Sequence, residues 1–272
     1  MSTELKGAVF DLDDTLLHDD LSISSYTVEV FHHLSETGFR LIAASGRAKM
    51  SMLPFVEQLG CLDLYISCNG AEIWDPKTDV RLHQVTFSTE LGRRIAAFGE
   101  EHGVYAQTYE GEYFYFNYPC AYADRYAAAS MLKGQCVGDL RQYIREPRMK
   151  ILMMAEEEKI AAMLVEARER FRGEASVTCS KPWFLEFNPP DATKGLALRR
   201  AAEALGLKAG DFVAFGDSLN DLPMLEAAGL GVMVSNGWPE LRKTCREVCR
   251  SNQEDGVARF LAERVLHEEA KS

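Results

Sequence analysis

Runs that are apolar at every position alternate with stretches whose apolar residues recur at helical spacing, and this rhythm limits the folds open to the chain. "GAVFDL" (7–12), "RLIAAS" (40–45) and "DLYISC" (63–68) read as strands apolar on both faces. Between them, residues 24–37 and 49–60 carry the helical pattern, and the first stretch opens on a serine and closes at Gly38. Such strands, separated by such helices, predict a doubly wound parallel sheet of α/β class, Rossmann-like, with helices on each side. The last third repeats the habit. "KGLALRRAAEALGL" (194–207) and "DLPMLEAAG" (221–229) read as helices, "DFVAFG" (211–216) and "LGVMVS" (230–235) as strands. "PELRKTCREVC" and "GVARFLAERVLHEEA" read as closing helices.

Residues from about 84 to 188 break the rhythm. "YFYFNYP", "RMKILMMA", "ASVTCS" and "WFLEFN" are β-rich and aromatic, with helical patterns over roughly 121–133 and 157–172. An antiparallel sheet with helices on one face is the expectation, forming an α+β domain inserted into the first. The expected division is a core of 1–83 and 189–272 around an insert of 84–188. Pro189-Pro190 suits a stiff return crossing, because proline fixes its own backbone angle and restrains its neighbour.

Across 272 residues, a hydrophobic content of 47% with 26% charged residues is enough for a sizeable core. A formal net charge of −11 argues against nucleic-acid or anionic-membrane binding by long-range attraction, while leaving room for a small anionic ligand at a locally positive site. No apolar run approaches the ~18 residues of a membrane span, and "MSTELKGAVF" lacks the pattern of a signal peptide. The seven cysteines form no C-x-x-C pair. Cys245 and Cys249, four apart on an expected helix, have no second pair with which to complete a zinc site. Reduced core thiols in a cytoplasmic protein, with no obligate protein partner, are the expectation.

Charge gathers where strands end. "KGAVFDLDDTLLHDD" (6–20) drives an apolar run straight into Asp11, Asp13 and Asp14. Carboxylates this crowded repel one another, so a cation or generous solvation has to offset the cost. A calcium-binding EF-hand loop is excluded: its sixth position would be Leu16 instead of glycine and its twelfth Ser22 instead of glutamate. A solvated acidic turn is the plain alternative. Three further edges carry chemistry. "IAASGR" (42–47) ends in Ser45 and Gly46, "DATKG" (191–195) puts Lys194 at a helix start, and "FGDSLND" (215–221) ends in Asp217, Asn220 and Asp221. Each alone has an ordinary reading as a cap or a surface charge; the four in this order do not.

Together they resemble the haloacid dehalogenase-like phosphohydrolase superfamily, with its D-x-D-x-T, its Ser or Thr after the second strand, its Lys and its acidic pair. "ISCNGAEIWD" (66–75), "SGR" and "TKG" resemble the Cof-type branch, which carries a mixed α/β cap between the second and third motifs. Two departures are minor: Asp14 stands where that branch often has glycine, and Ser45 where threonine is commoner.

The resemblance implies a Mg²⁺-dependent phosphatase acting on a small soluble phosphomonoester, a sugar phosphate being the first guess. It implies that Asp11 attacks phosphorus to give an aspartyl-phosphate, and that Asp13 protonates the leaving oxygen and then activates water. Metal ligands are implied at Asp11, Asp217 and the Asp13 carbonyl, with Asp221 behind them. Phosphate oxygens are implied to meet Ser45, the Gly46 N–H, Lys194, Asn220 and the Leu12 N–H. Thr15 is expected to support the turn, and Arg47 and Asn69 are candidate substrate contacts. Tyr113, Tyr115, Arg148, Lys150 and Trp183 are candidates to face the site from the insert, although tyrosine and tryptophan at alternating positions more often pack a sheet core. A phosphomutase and a non-catalytic phosphate sensor are the alternatives. All four of Asp11, Asp13, Lys194 and Asp217 are present, which weighs against the sensor.

Overall fold

In the computed structural model, which describes residues 5–245 and 247–267, two sheets organise the chain. The larger has eight strands in the order Glu247–Cys249, Leu230–Val234, Phe212–Gly216, Gly7–Phe10, Arg40–Ala44, Leu64–Ser67, Glu72–Asp75 and Val80–Gln84. The first six run parallel, and the last two add as an antiparallel hairpin. Alternate residues of one strand feed opposite faces. Phe10 packs with Phe31, Phe55 and Leu261 on one side, while Val9 packs with Leu198, Ala201 and Met224 on the other. Both faces are therefore covered by helices, as all-apolar strands require. A side chain of this size taken fully out of water contributes about 1.5–3 kcal/mol.

The second sheet has six strands, in the order Ser176–Thr178, Phe184–Asn188, Ile151–Met154, Tyr105–Glu110, Tyr113–Phe116 and Lys133–Cys136. It is antiparallel except for its last pair, which is parallel, contrary to the sequence expectation of a wholly antiparallel sheet. Helices Thr89–Glu101 and Glu157–Arg170 cover one face through Ile95, Phe98, Ile160 and Met163. The other face carries Tyr109, Phe114, Leu152 and Met154, which meet helix Ala121–Ser130 and, from beside the larger sheet, Ala48 and Cys68. Helices thus lie on both sides, where one covered face was expected.

Three other expectations are corrected. Helix Thr89–Glu101 was not anticipated, because Gly92 and Gly99 weaken its pattern; both are packing positions, where an added Cβ would meet Phe87 and Ile144 at 3.2 Å and Met153 at 3.0 Å. The helix expected to reach residue 133 stops at Ser130, with Met131 left-handed at φ 60°, before an edge strand. Residues 239–249 are a 3₁₀ turn, Pro239–Lys243, and the edge strand Glu247–Cys249, so Cys245 and Cys249 do not share a helix face. The closing helix is Gly256–Arg264, and the end of its expected span, 268–270, lies outside the described residues. All seven cysteines are free thiols. Among the described residues, no helix is long and apolar enough to cross a membrane.

Candidate active site

Parallel neighbours end at the same edge, so strands Gly7–Phe10, Arg40–Ala44 and Phe212–Gly216 deliver Asp11, Ser45 and Asp217 side by side. Asp11 continues its strand by donating its N–H to the Phe215 carbonyl at 3.1 Å, which fixes the backbone that carries the carboxyl group. Lys194, the first residue of helix Lys194–Ala204, is fully buried. Its Nζ lies 2.9 Å from Asp11 Oδ1 and 2.6 Å from Asp221 Oδ1. The other Asp221 oxygen accepts the N–H groups of Asp217 and Ser218 at 3.0 and 3.1 Å. Thr15 does more than support its turn: its hydroxyl donates to Asp217 Oδ1 at 3.0 Å. Gly216 makes the close packing possible, since a Cβ there would lie 2.5 Å from the Asp221 side chain.

Asp11, Asp217 and Asp221 each offer a carboxylate oxygen, and these oxygens all lie within 4.8 Å of one another. One ammonium serves three buried carboxylates. Burial pushes the Asp11 carboxyl up to about 8 against the pull of Lys194, with Asp221 and Asp13 adding to the rise. Asp217 is raised well above the usual range by burial, then by Asp221 and Asp11. Burial alone would lower Lys194, but Asp11 and Asp221 hold it above its ordinary value. Hard oxygen donors with an uncompensated excess of negative charge suit a small divalent cation. Both Asp221 oxygens are already engaged, so Asp11 and Asp217 are the carboxylates best placed to ligate.

Asp13 is not part of this cluster. Its carboxylate turns to Arg47, whose Nη2 and Nε donate to Oδ1 and Oδ2 at 2.7 and 2.8 Å. Burial would raise the Asp13 carboxyl, but Arg47, helped by Lys181 and Lys194, holds it below the usual range. Arg47 also donates to Ser51 Oγ at 2.9 Å and to the Ala129 carbonyl of helix Ala121–Ser130 at 3.0 Å. Asp14 takes the left-handed backbone that glycine favours, at φ 57°, and pairs with Lys181 at 3.4 Å.

The remaining expected phosphate contacts fall around a string of amides. Ser45 is fully buried and its Oγ accepts the Arg47 N–H at 3.1 Å. Gly46 has no room for a side chain, because a Cβ would lie 2.9 Å from Asn69 Oδ1. That oxygen accepts Asn220 Nδ2 at 3.0 Å, and Asn220 Oδ1 accepts the Ser218 hydroxyl at 2.7 Å. Asn69 Nδ2 donates to Asn188 Oδ1 at 3.1 Å, and Asn188 donates to the Cys68 and Met149 carbonyls at 3.0 and 3.1 Å. Lys150 Nζ donates to the Gly46 carbonyl at 2.8 Å and forms a buried ion pair with Glu186. The Leu12 N–H, expected to meet phosphate, donates to Asp11 Oδ1 at 2.7 Å.

Asn188 and Glu186 were missed in the sequence. Their signal was present in "FLEFN", where two polar residues two apart share one face of an otherwise apolar strand. Asp11, Asp13, Gly46, Asp217 and Asn220 line a cavity of about 730 Å³ between the two sheets, joined by Lys150 and Trp183. Tyr113, Tyr115 and Arg148 do not line it. Tyr115 stacks on Tyr143 with ring centroids 4.7 Å apart, and Arg148 pairs with Glu110 at 3.1 Å.

A family model described as haloacid dehalogenase-like hydrolase matches residues 8–261. The chain belongs to that family. It is 29% identical to a 5-amino-6-(5-phospho-D-ribitylamino)uracil phosphatase of Bacillus subtilis, over 97% of this chain and 98% of that one. It is 30% identical to a putative phosphatase of Haemophilus influenzae, over 95% of this chain and 98% of that one. The crystal structure of a haloacid dehalogenase-like hydrolase from Bacteroides thetaiotaomicron superposes with a TM-score of 0.84 at 27% identity, covering 96% of this chain and 99% of that one. This haloacid dehalogenase-like hydrolase therefore shares its sequence with named phosphatases, and its fold with a solved member of the same family, over nearly all of this sequence.

Proposed function

We infer that the protein is a Mg²⁺-dependent phosphatase of small phosphomonoesters, working through an aspartyl-phosphate on Asp11. The observation that carries this reading is the buried cluster of Asp11, Lys194, Asp217 and Asp221 at the sheet edge, opening on a cavity. A divalent cation held by Asp11, Asp217 and the Asp13 carbonyl would neutralise phosphate charge and relieve the repulsion between the carboxylates. Lys194 orients the Asp11 carboxylate, whose oxygen forms a bond to phosphorus as the ester P–O bond breaks. Ser45, the Gly46 N–H and Asn220 hold the peripheral oxygens, with the Leu12 N–H released from Asp11 as the phosphoryl group arrives. Asp13 gives a proton to the departing oxygen and takes one from the water that releases phosphate.

Residues 84–188 serve, in this reading, as a cap over the site within a core of 1–83 and 189–272. Arg47 to Ala129, Lys150 to Gly46 and Lys181 to Asp14 are the contacts by which the cap would sit on that core. A closed cap keeps bulk water from the phosphoryl group. The relative named for a uracil-bearing phosphate ester supports a small metabolite as substrate.

Phosphate release from a panel of sugar phosphates, nucleotides and cofactor phosphates tests the reading, with and without Mg²⁺, for wild type and Asp11→Asn. Metal-dependent release, abolished in the variant, is the expected result. Turnover that persists in Asp11→Asn would overturn the nucleophile assignment.

A further inference from the structure

Aromatic rings form one wall of the cavity over Asp11. Tyr122 and Tyr126 lie four apart on helix Ala121–Ser130, so their rings leave the same face. Trp183 and Phe184 arrive from the turn that opens strand Phe184–Asn188. The rings touch in sequence: Tyr126 and Phe184 have centroids 6.5 Å apart, and Phe184 and Trp183 6.2 Å apart. On the next stripe of the same helix Ala121 and Ala129 add little bulk beside them, and Arg125, exposed between the two, adds a cation. Trp183 is 44% exposed, a large apolar ring left uncovered at the mouth of a site.

Most of the polar groups around this wall are already paired, Arg125, Glu157 and Ser180 being the ones that also line the cavity without a side-chain hydrogen bond or ion pair among the described residues. Tyr122 Oη donates to Glu156 at 3.0 Å, and the Tyr126 hydroxyl is hydrogen-bonded to Tyr109. Lys150 is held by Glu186 and the Gly46 carbonyl, and Arg47 by Asp13, Ser51 and the Ala129 carbonyl. A leaving group rich in hydroxyls would lose water on entry and find most of its natural partners engaged, a costly exchange. A flat ring needs only the faces that the wall presents.

We propose that this enzyme selects phosphate esters whose leaving alcohol carries a planar aromatic ring, the ring lying against Trp183, Phe184 and Tyr126. This rests on the phosphatase reading above and departs from a sugar phosphate as the preferred substrate. Trp183 and Tyr126 are the specificity-determining residues, and Asp11 and Lys194 act on the phosphoryl group at the other end of the cavity.

Benzyl phosphate and cyclohexylmethyl phosphate make the decisive pair: both release a primary alcohol with the same carbon skeleton, and only one ring is flat and π-bearing. With Mg²⁺ present, kcat/KM for benzyl phosphate is expected to exceed that for the saturated ester roughly fivefold to tenfold, and to exceed that for glucose 6-phosphate. Trp183→Leu, checked for an unchanged circular-dichroism melt, is expected to bring the ratio of the first two close to one. Equal rates for the pair, or a faster glucose 6-phosphate, overturns the proposal. Acetyl phosphate has no ring and reads the phosphoryl machinery alone, so its survival alongside Mg²⁺ sinks the phosphatase reading separately. In that event calorimetric affinities for benzylphosphonate and cyclohexylmethylphosphonate still decide what the wall prefers. Tighter benzylphosphonate binding supports it, and equal binding refutes it.

Discussion

Arg47 grips Asp13 through two parallel hydrogen bonds, at 2.7 and 2.8 Å, and with the same guanidinium reaches the Ala129 carbonyl across the cavity at 3.0 Å. The proposed proton carrier is therefore tied to helix Ala121–Ser130 through one side chain. A planar, fixed fork of this kind cannot be copied by lysine.

Removing that fork changes when Asp13 carries its proton. The carboxyl sits below its usual range because Arg47 and its neighbours outweigh burial. In Arg47→Ala the burial remains and the main opposing cation is gone, so the Asp13 pKa rises. The alkaline limb of the kcat/KM profile, which reports the proton that Asp13 gives to the leaving oxygen, is expected to move to higher pH, with the maximum falling about 10-fold to 100-fold. Arg47→Lys should lie between the two. A profile that drops in height without moving along the pH axis would show that Arg47 positions substrate only.

Metal removal has a pH signature of its own. Burial pushes the folded Asp11 carboxyl up to about 8, from 3.8 for the free side chain. Between these values the folded chain keeps a proton that the unfolded chain has released, so folding stability falls as pH rises through this window. The melting temperature in EDTA is expected to decline from pH 5.5 to pH 8. Mg²⁺ should restore it, and more strongly at pH 8, where protons no longer compete for the carboxylates. A flat melting temperature in EDTA, or an equal Mg²⁺ effect at both pH values, would contradict the charge balance drawn for the cluster.

Lys150 and Glu186 form a buried pair, 4% and 1% exposed, with the Gly46 carbonyl on the ammonium as well. Burial alone would lower the Lys150 pKa, and Glu186, with Tyr126 and Cys68, raises it instead. A raised lysine contributes stability that is fully present below the unfolded pKa of 10.5 and is lost only as pH passes the folded value. At pH 7 the pair is whole. Lys150→Met strands a buried carboxylate and should cost about 3–5 kcal/mol, whereas Lys150→Met with Glu186→Leu should recover most of the loss. Urea titrations of the two single variants and the double variant give the coupling directly. Additive losses would mean that the two charges do not depend on each other.

How much of this was legible in the sequence follows from where the constraint lies. Asp11, Ser45, Lys194 and Asp217 stood out because each ends a run that only a buried strand or a helix start explains, and strand ends gather at one edge. The pairing of Asp13 with Arg47 was not legible, because it joins residues 34 apart whose approach depends on packing. The hairpin of Glu72–Asp75 and Val80–Gln84 was missed for a different reason. Val80, Arg81 and Leu82 are exposed, so the edge strand has no buried face, and its alternation of apolar and polar residues runs only from Val80 to His83. Asn188 was overlooked beside its prolines, yet its amide ties the Cys68 and Met149 carbonyls together.

Gly70 offers the sharpest test of how the elements hold the site. Its backbone sits at φ +106°, open to glycine and strained for other residues. A Cβ there would lie 2.5 Å from the Thr193 carbonyl and 3.1 Å from the Ala197 side chain. Thr193 caps the helix that begins with Lys194, through its Oγ and the Leu196 N–H at 3.2 Å. Gly70→Ala should therefore push on the very turn that aims the ammonium at Asp11. Strain of this kind costs about 1–3 kcal/mol, which lowers the melting temperature by roughly 2–4 °C for each kcal/mol in a chain of this size. The fall in kcat should exceed that in Gly38→Ala, whose glycine is also left-handed, at φ +85°, but has no atom within 4 Å of the added Cβ. Equal kcat losses in the two variants would mean that the contact with Thr193 does not govern Lys194, and that backbone strain alone accounts for the effect.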